Sequence, residues 1–236
     1  LINKTLSGLY SPGSTIKPIV ALSALENNVI DTKFKVKCTG KMELYGQTFH
    51  CWKEKGHGWL SLNNAMKQSC DTYFYEVARL LGVDRLNITA EKFGLGKKVL
   101  GQYFDNEKKG LFPNTGWKKN NLGKGWVLGE TLITGIGQGY TQTTPLQLCI
   151  MTAQIANGGY AIKPKIIVDS NPISYEDAKQ SMESQLLFNS ESKLLGDKKL
   201  FKDKKNIKII QEAMFSSTNE RFGTSYKSRI DDPKYQ

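Results

Sequence analysis

Ser14 and Lys17 are the residues of this chain whose types and spacing best suit nucleophilic chemistry. They follow the helix-breaking pair Pro12-Gly13 and open a mostly apolar run that ends at Leu25. Residues three apart on a helix share a face, so the hydroxyl and the amine are expected one turn apart. A serine becomes a good nucleophile when a neighbouring base takes its proton. The spacing indicates a nucleophile with its base, and the alternative is an N-cap serine beside a solvated lysine.

Ser69 is predicted to lie on a loop between two helices. Ser61 is expected to cap a short helix that ends at Lys67, and Asp71 can cap the next helix, Thr72 to Leu81. Loops that rigid elements hold in place commonly carry reactive groups. Ser69 is therefore a second candidate for chemistry.

Cys38, Cys51, His57 and Cys70 form a possible metal-binding set, because three of the four cysteines and one of the two histidines fall within 33 residues. Three thiolates and an imidazole suit tetrahedral zinc with no open position, which indicates a structural role. Residues 31–60 have little apolar periodicity, so a metal would account for their fold. The alternatives are an oxidised Cys38–Cys51 pair or free thiols, with His57 hydrogen-bonded in a loop.

The remaining sequence predicts further helices around these residues. Thr144 followed by Pro145 is typical of a helix start, and Cys149 on that helix is expected in the core. Residues 31–60 and 94–134 are expected to lack regular structure. The other predicted elements are helices at 86–93, 145–156 and 207–215, a strand at 160–168 and a glycine turn at 135–140.

The composition indicates a soluble chain with one core. At 236 residues and 39% hydrophobic, the chain can form one domain with an appendage. No stretch approaches the about 18 consecutive apolar residues of a membrane span, and the first residues given lack the charged-then-apolar pattern of a signal peptide. The net charge of +11 comes mainly from lysine, since only four of the 33 basic residues are arginine. Because base and phosphate recognition favour arginine, no nucleic-acid partner is expected.

Three motifs in chain order resemble those of the transpeptidase domain of class B penicillin-binding proteins, in the elongation-type branch. The resemblance covers most of residues 4–168 and resumes near 206–236. The motifs are Ser14-Thr15-Ile16-Lys17, Ser69-Cys70-Asp71 and Gly137-Gln138-Gly139. Two further short segments, Tyr10-Ser11-Pro12-Gly13 and Gly56-His57-Gly58, support the resemblance.

The resemblance implies an α/β (α+β) fold of the penicillin-binding-protein and serine β-lactamase type. Here the chain would hold mainly the helical subdomain, with most of the central antiparallel sheet missing. It would divide into a transpeptidase core at 1–168, a polar insertion or mobile loop at 169–205, and a helix with the lead-in to an absent strand at 206–236.

The resemblance also assigns roles to individual residues. Ser14 would be acylated by the D-alanyl-D-alanine end of a peptidoglycan stem peptide or by a β-lactam, with Lys17 as its base. Ser69 would relay a proton to the leaving amine, and Gln138 and Gly139 would bind substrate. Asp71 stands where the family more often has asparagine; it could accept the substrate amide, or it could hold the Lys17 ammonium charged.

The family's Lys-Thr/Ser-Gly strand would follow a segment like 223–230, and the chain ends at Gln236 before it. We therefore expect this chain alone to acylate very slowly or not at all. The parent protein would sit at the periplasmic face of the inner membrane, held by a segment absent here, and act with the cell-wall elongation machinery. Catalysis would need no cofactor, although some relatives in this branch place a metal near the Cys/His segment.

Two other functions remain open at this point. A β-lactamase-type hydrolase or β-lactam sensor shares the Ser-x-x-Lys motif, but lacks a long Cys/His segment. A non-catalytic, zinc-stabilised binding module would have a degenerate cleft and would not be acylated even with the missing strands restored.

Overall fold

The computed structural model describes residues 3–101, 104–164 and 198–230. Within these ranges helices pack around one buried helix, and short strands form two separate two-stranded sheets. No helix in this part of the chain combines the length and apolar character that a membrane crossing requires. The helices are α1 Lys4–Ser7, α2 Lys17–Glu26, α3 Leu62–Lys67, α4 Asp71–Leu81, α5 Val83–Lys92, α6 Thr115–Leu122, α7 Leu128–Gly135, α8 Pro145–Ala156 and α9 Lys204–Asn219.

Helix α2 is the centre of the described fold, as its uninterrupted apolar sequence predicts. All ten of its residues are buried, and it packs against α3, α4, α5 and α9. A short 3-10 turn, Gly13–Ile16, leads directly into it, so Ser14 lies just before the helix and Lys17 is its first residue. The burial of α2 therefore fixes the backbone that carries both candidate residues.

Segment 31–60 contains four short strands, so the expectation of an irregular segment was wrong. β1 (Lys35–Cys38) pairs antiparallel with β4 (Gly58–Ser61), and β2 (Lys41–Leu44) pairs antiparallel with β3 (Gln47–His50). Each strand is four residues long and buries at most one of them, which leaves too little alternation to detect. Tyr45 and Gly46, both at positive φ, close the β2–β3 hairpin.

Residues 94–134 include α6 and α7, which the sequence did not predict. Helix α6 buries only Lys118, so it has no apolar face to recognise, although Asn114 caps it by accepting a hydrogen bond from the Trp117 N–H. Cys149 was expected in the core and is exposed, because α8 turns Ile150 and Met151 inward instead.

The predicted strand at 160–168 and insertion at 169–205 lie largely outside the described residues. The part that is described shows one isolated bridge, between Tyr160 and Lys199. The predicted helices at 86–93, 145–156 and 207–215 are confirmed, and the first and last of these begin earlier than expected.

Helix α9 is anchored to the end of α2 by a buried carboxylate. Glu26 accepts hydrogen bonds from the backbone N–H groups of Lys202 and Asp203 and from the Asn206 side chain. A carboxylate beside a helix N-terminus favours the helix dipole, and this one binds the two residues that precede α9. This contact holds α9 beside α2 and α3, where it forms one wall of the groove at Ser14.

Candidate active site

Ser14 and Lys17 open onto one cavity of ≈ 340 Å³ between the start of α2, the α3–α4 loop and α9. Ser14 is exposed, whereas the Lys17 side chain is 3% exposed. Ser69 also lines the cavity. The structure thus brings together the three residues that the motifs single out. Six further hydroxyl residues line the same cavity: Thr15, Thr152, Ser217, Thr218, Thr224 and Ser225.

The Lys17 ammonium is surrounded by acceptors of the second motif. Its Nζ donates to the Ser69 carbonyl oxygen at 2.8 Å, to Ser69 Oγ at 3.0 Å and to Asp71 Oδ1 at 2.8 Å. An ammonium has three N–H donors, so all three are used. Among the described residues no hydrogen bond joins Lys17 Nζ to Ser14 Oγ. Lys17 Nζ therefore faces Ser69 and Asp71 in this geometry.

Asp71 does not act as the helix cap that the sequence predicted. Helix α4 begins at Asp71 itself, and Cys70 occupies the N-cap position. One carboxylate oxygen pairs with Lys17, and the other accepts the backbone N–H of Trp52 at 3.0 Å. The close approach of Asp71 to Lys17 that the sequence analysis considered is thus observed.

Trp52 is a neighbour of the site that the sequence analysis missed. Its indole N–H lies 3.0 Å from the Ser69 carbonyl oxygen and 3.1 Å from that of Gln68. The only sequence signal was its position next to Cys51, which was read for metal binding alone.

The glycine turn at 135–140 contacts the backbone just before Ser14 and does not line the Ser14 cavity. Gly137 accepts the Gly13 backbone N–H at 2.9 Å, directly before Ser14. Gln138 and Gly139 are exposed and are not among the residues that line the Ser14 cavity; Gly139 borders a separate cavity of ≈ 450 Å³ beside Tyr140. The substrate-binding role of Gln138 and Gly139 stays a prediction.

Gly137→Ala is expected to destabilise the protein more than Gly123→Ala. Both glycines have positive φ, which costs an alanine about 1 kcal/mol. At position 137 the new Cβ would also lie 2.2 Å from the Gly13 carbonyl oxygen, whereas at position 123 nothing lies within 4 Å. Urea unfolding of the two variants measures the difference. Equal losses of unfolding free energy would show that the two turns are not packed as described.

The four candidate metal ligands converge at one point. Their ligand atoms all lie within 4.8 Å of one another, and the three cysteines are buried and free. His57 Nδ1 is 3.5 Å from Cys38 Sγ and 3.6 Å from Cys51 Sγ, and Cys51 Sγ is 4.0 Å from Cys70 Sγ. With Zn–S bonds of about 2.3 Å and a Zn–N bond of about 2.0 Å, a tetrahedron separates its corners by about 3.5–3.8 Å. The donor set and its spacing fit a structural zinc ion.

The electrostatics of this Cys/His cluster favour a thiolate at Cys51. The contact between the two sulfurs lowers the pKa of Cys51 to about 3, and the same contact, with burial, raises the pKa of Cys70. Burial lowers the pKa of His57, which favours the neutral imidazole. Thiolate and neutral imidazole are the forms that ligate metals.

Two residues of the Cys/His cluster are direct sequence neighbours of residues at the candidate active site. Cys51 precedes Trp52, and Cys70 lies between Ser69 and Asp71. Gly56 has positive φ, and a Cβ there would lie 2.3 Å from the Cys38 carbonyl oxygen, so only glycine lets the two segments cross.

Comparison with known proteins identifies the family. The model of the penicillin binding protein transpeptidase domain matches residues 1–236. The peptidoglycan D,D-transpeptidase MrdA of Acinetobacter baumannii is 39% identical over 169 residues, which are 71% of this chain and 25% of that protein. MrdA of Escherichia coli K12 is 36% identical over 182 residues, or 76% and 28%. The chain therefore spans about a quarter of the length of these curated relatives.

Solved structures give the same result. Pseudomonas aeruginosa PBP2 in complex with WCK 5153 superposes with a TM-score of 0.80 at 36% identity, over 96% of this chain and 48% of that one. PBP2 from Helicobacter pylori gives 0.82 at 29% identity, over 98% and 40%. The expected transpeptidase fold is thereby confirmed. The chain belongs to the penicillin-binding protein transpeptidase family, in the branch of penicillin-binding protein 2 (MrdA).

Proposed function

We propose that this chain carries the acyl-transfer residues of a peptidoglycan D,D-transpeptidase. The observation that carries the proposal is the convergence of Ser14, Lys17 and Ser69 on one open cavity, with Lys17 Nζ bonded to Ser69 Oγ. The substrate would be the D-alanyl-D-alanine end of a stem peptide, or a β-lactam in its place. The hydroxyl-rich lining supplies donors and acceptors for such a peptide.

In the proposed reaction Ser14 Oγ attacks the carbonyl carbon of the penultimate D-alanine. The Oγ–C bond forms, the C–N bond to the last D-alanine breaks, and the released amine takes up the proton that Ser14 lost. An amine of a second stem peptide then attacks the ester, which restores the Ser14 hydroxyl and completes the cross-link. A β-lactam nitrogen stays tethered to the acyl group after its C–N bond breaks, so the adduct persists.

Proton movement in this scheme runs through Lys17. To act as the base, Lys17 must be a neutral amine before it accepts the proton of Ser14, so any proton on its ammonium form has to leave first. Asp71 Oδ1, at 2.8 Å, is placed to receive that proton. Ser69 Oγ, 3.0 Å from the same nitrogen, is placed to pass a proton on to the leaving amine. Ser14 is thus the nucleophile, Lys17 the base, Ser69 the relay and Asp71 the partner that sets the charge of Lys17.

A fluorescent penicillin tests the proposal. Incubated with the natural gene product, it should add its full mass to the protein, because ring opening loses no atoms. Peptide mapping should place the adduct on Ser14 and leave the peptide that carries Ser69 unmodified. The adduct should outlast the incubation, whereas a hydrolase would release it. Absence of an adduct, or an adduct at another residue, would contradict the assignment.

We further propose that the natural protein works with cell-wall elongation proteins at the periplasmic face of the inner membrane. PBP2 from Helicobacter pylori was solved in a complex with MreC, and a further relative, 27% identical, belongs to a peptidoglycan synthase complex. Co-purification of the natural gene product with its own MreC counterpart tests this proposal. Failure to recover the pair in detergent extracts would argue against it.

We also propose that Cys38, Cys51, His57 and Cys70 hold a structural zinc ion. The metal would stabilise the fold of the segment around β1–β4 and take no part in acyl transfer. The convergence and spacing of the four ligand atoms support it. Metal analysis of the purified protein, with a thiol count before and after chelation, separates this from a disulfide. One equivalent of zinc and thiols that react only after chelation are expected.

A further inference from the structure

Trp52 contacts two residues of the candidate site at once. Its indole N–H reaches the Ser69 carbonyl oxygen at 3.0 Å, and its backbone N–H donates to Asp71 Oδ2 at 3.0 Å. The residue is nevertheless 58% exposed. An exposed indole gains little from burial, so its polar contacts are the main interactions that fix its position.

Ser69 needs such support because its backbone is in an uncommon conformation. Its φ is +51°, which few residues other than glycine adopt. Strained backbone of this kind persists only where neighbouring groups hold it. Two donors hold the Ser69 carbonyl: the Trp52 indole and Lys17 Nζ, at 3.0 Å and 2.8 Å. Ser69 Oγ is held by Lys17 Nζ as well, at 3.0 Å.

The orientation of Asp71 depends on Trp52 as well. The carboxylate uses Oδ2 for the Trp52 backbone N–H and Oδ1 for Lys17. With one oxygen engaged by Trp52, the other is directed at the ammonium. Trp52 therefore contacts both residues that face Lys17, through the backbone carbonyl of Ser69 and the carboxylate of Asp71.

We propose that Trp52 is a positioning residue for acyl transfer, holding Ser69 and Asp71 so that their oxygens face Lys17 Nζ. This inference rests on the proposed function and deepens it. Trp52 touches neither Ser14 nor the cavity, so it acts through Ser69 and Asp71 rather than on the substrate. Its edge-on contact with His57, at 5.3 Å between ring centroids, also connects this arrangement to the Cys/His cluster.

Trp52→Phe tests the inference at Ser69, because phenylalanine keeps a ring beside His57 and the backbone N–H that binds Asp71, and removes only the indole N–H. We expect the maximal rate of acylation by a fluorescent penicillin to fall about tenfold. The penicillin concentration that gives half this rate should stay unchanged, because no binding contact is lost. The matched control is Trp59→Phe, since Trp59 is 66% exposed and its indole bonds to no described residue. A Trp52→Phe variant that acylates as fast as Trp59→Phe overturns the inference.

Hydrogen exchange of the indole protons gives a readout that does not depend on activity. In the wild-type protein, labelled with ¹⁵N-tryptophan, the Trp52 indole proton should exchange more slowly than that of Trp59. Equal, fast exchange overturns the inference. If the wild-type protein takes up no penicillin at all, the proposed function fails; if it is labelled and Trp52→Phe keeps its rate, only the role of Trp52 fails.

Discussion

Replacing Lys17 with methionine is expected to slow acylation by a fluorescent penicillin about a thousandfold. Methionine fills most of the space of the buried lysine stem and has no donor or base. Ser14 then has no group to take its proton, and Ser69 Oγ loses its contact at 3.0 Å. Rapid-quench labelling of the natural gene product measures the rate. Labelling within tenfold of the wild-type rate would remove Lys17 from the mechanism.

The same variant leaves Asp71 without its cation, so catalysis and stability must be separated. The two side chains are 3% and 13% exposed, and breaking a buried pair from one side costs about 3 kcal/mol of unfolding free energy. The double variant Lys17→Met with Asp71→Asn should recover much of that stability and none of the acylation. Lys67→Met is the matched control, because this lysine also pairs with a carboxylate, Glu220, at 2.7 Å. It should label normally.

Much of this site could be predicted from residue types and local patterns. The Ser14–Lys17 spacing and the all-apolar helix behind it are local features, and helix α2 forms as they predict. Thr144 and Pro145 likewise fix the start of α8, with Gln147 completing a capping box. Local signals suffice where one segment decides its own conformation.

The contacts of Asp71 and Trp52 could not be predicted in this way. As the first polar residue of α4, Asp71 looks like a cap, and only tertiary packing brings Lys17 to 2.8 Å from it. Trp52 reaches Ser69 across 17 positions of sequence, which include the undetected strand β4 and helix α3. Pairing partners that are distant in sequence leave no periodic signal in either segment.

The Cys/His cluster could be predicted from the sequence in part: its residues could be recognised, but their arrangement in space could not. Residue types alone pointed to the candidate ligands, because three cysteines and a histidine within 33 residues are unusual in a chain with four cysteines. Their spacing did not resemble a standard zinc finger, and the arrangement in space had to come from the fold. The four ligand atoms then lie close enough for one ion.

Cys51→Ala is expected to lower the unfolding free energy by at least about 4 kcal/mol and to abolish zinc binding. Structural zinc contributes a large share of folding free energy in small segments, and β1–β4 bury few side chains of their own. Denaturant unfolding with metal analysis measures both effects. Cys149→Ala is the matched control, since that thiol is exposed, and it should change the unfolding free energy by less than about 0.5 kcal/mol.

The loss of metal should also slow acylation, because the cluster is continuous with the candidate active site. Without Cys51 as a ligand, the adjacent Trp52 is no longer fixed, and its contacts to Ser69 and Asp71 weaken. Chelation of the wild-type protein should therefore reproduce both effects of Cys51→Ala, and added zinc should reverse them. If the cysteines are free thiols, chelators will change nothing, and Cys51→Ala will cost only the about 1–2 kcal/mol of a small buried cavity.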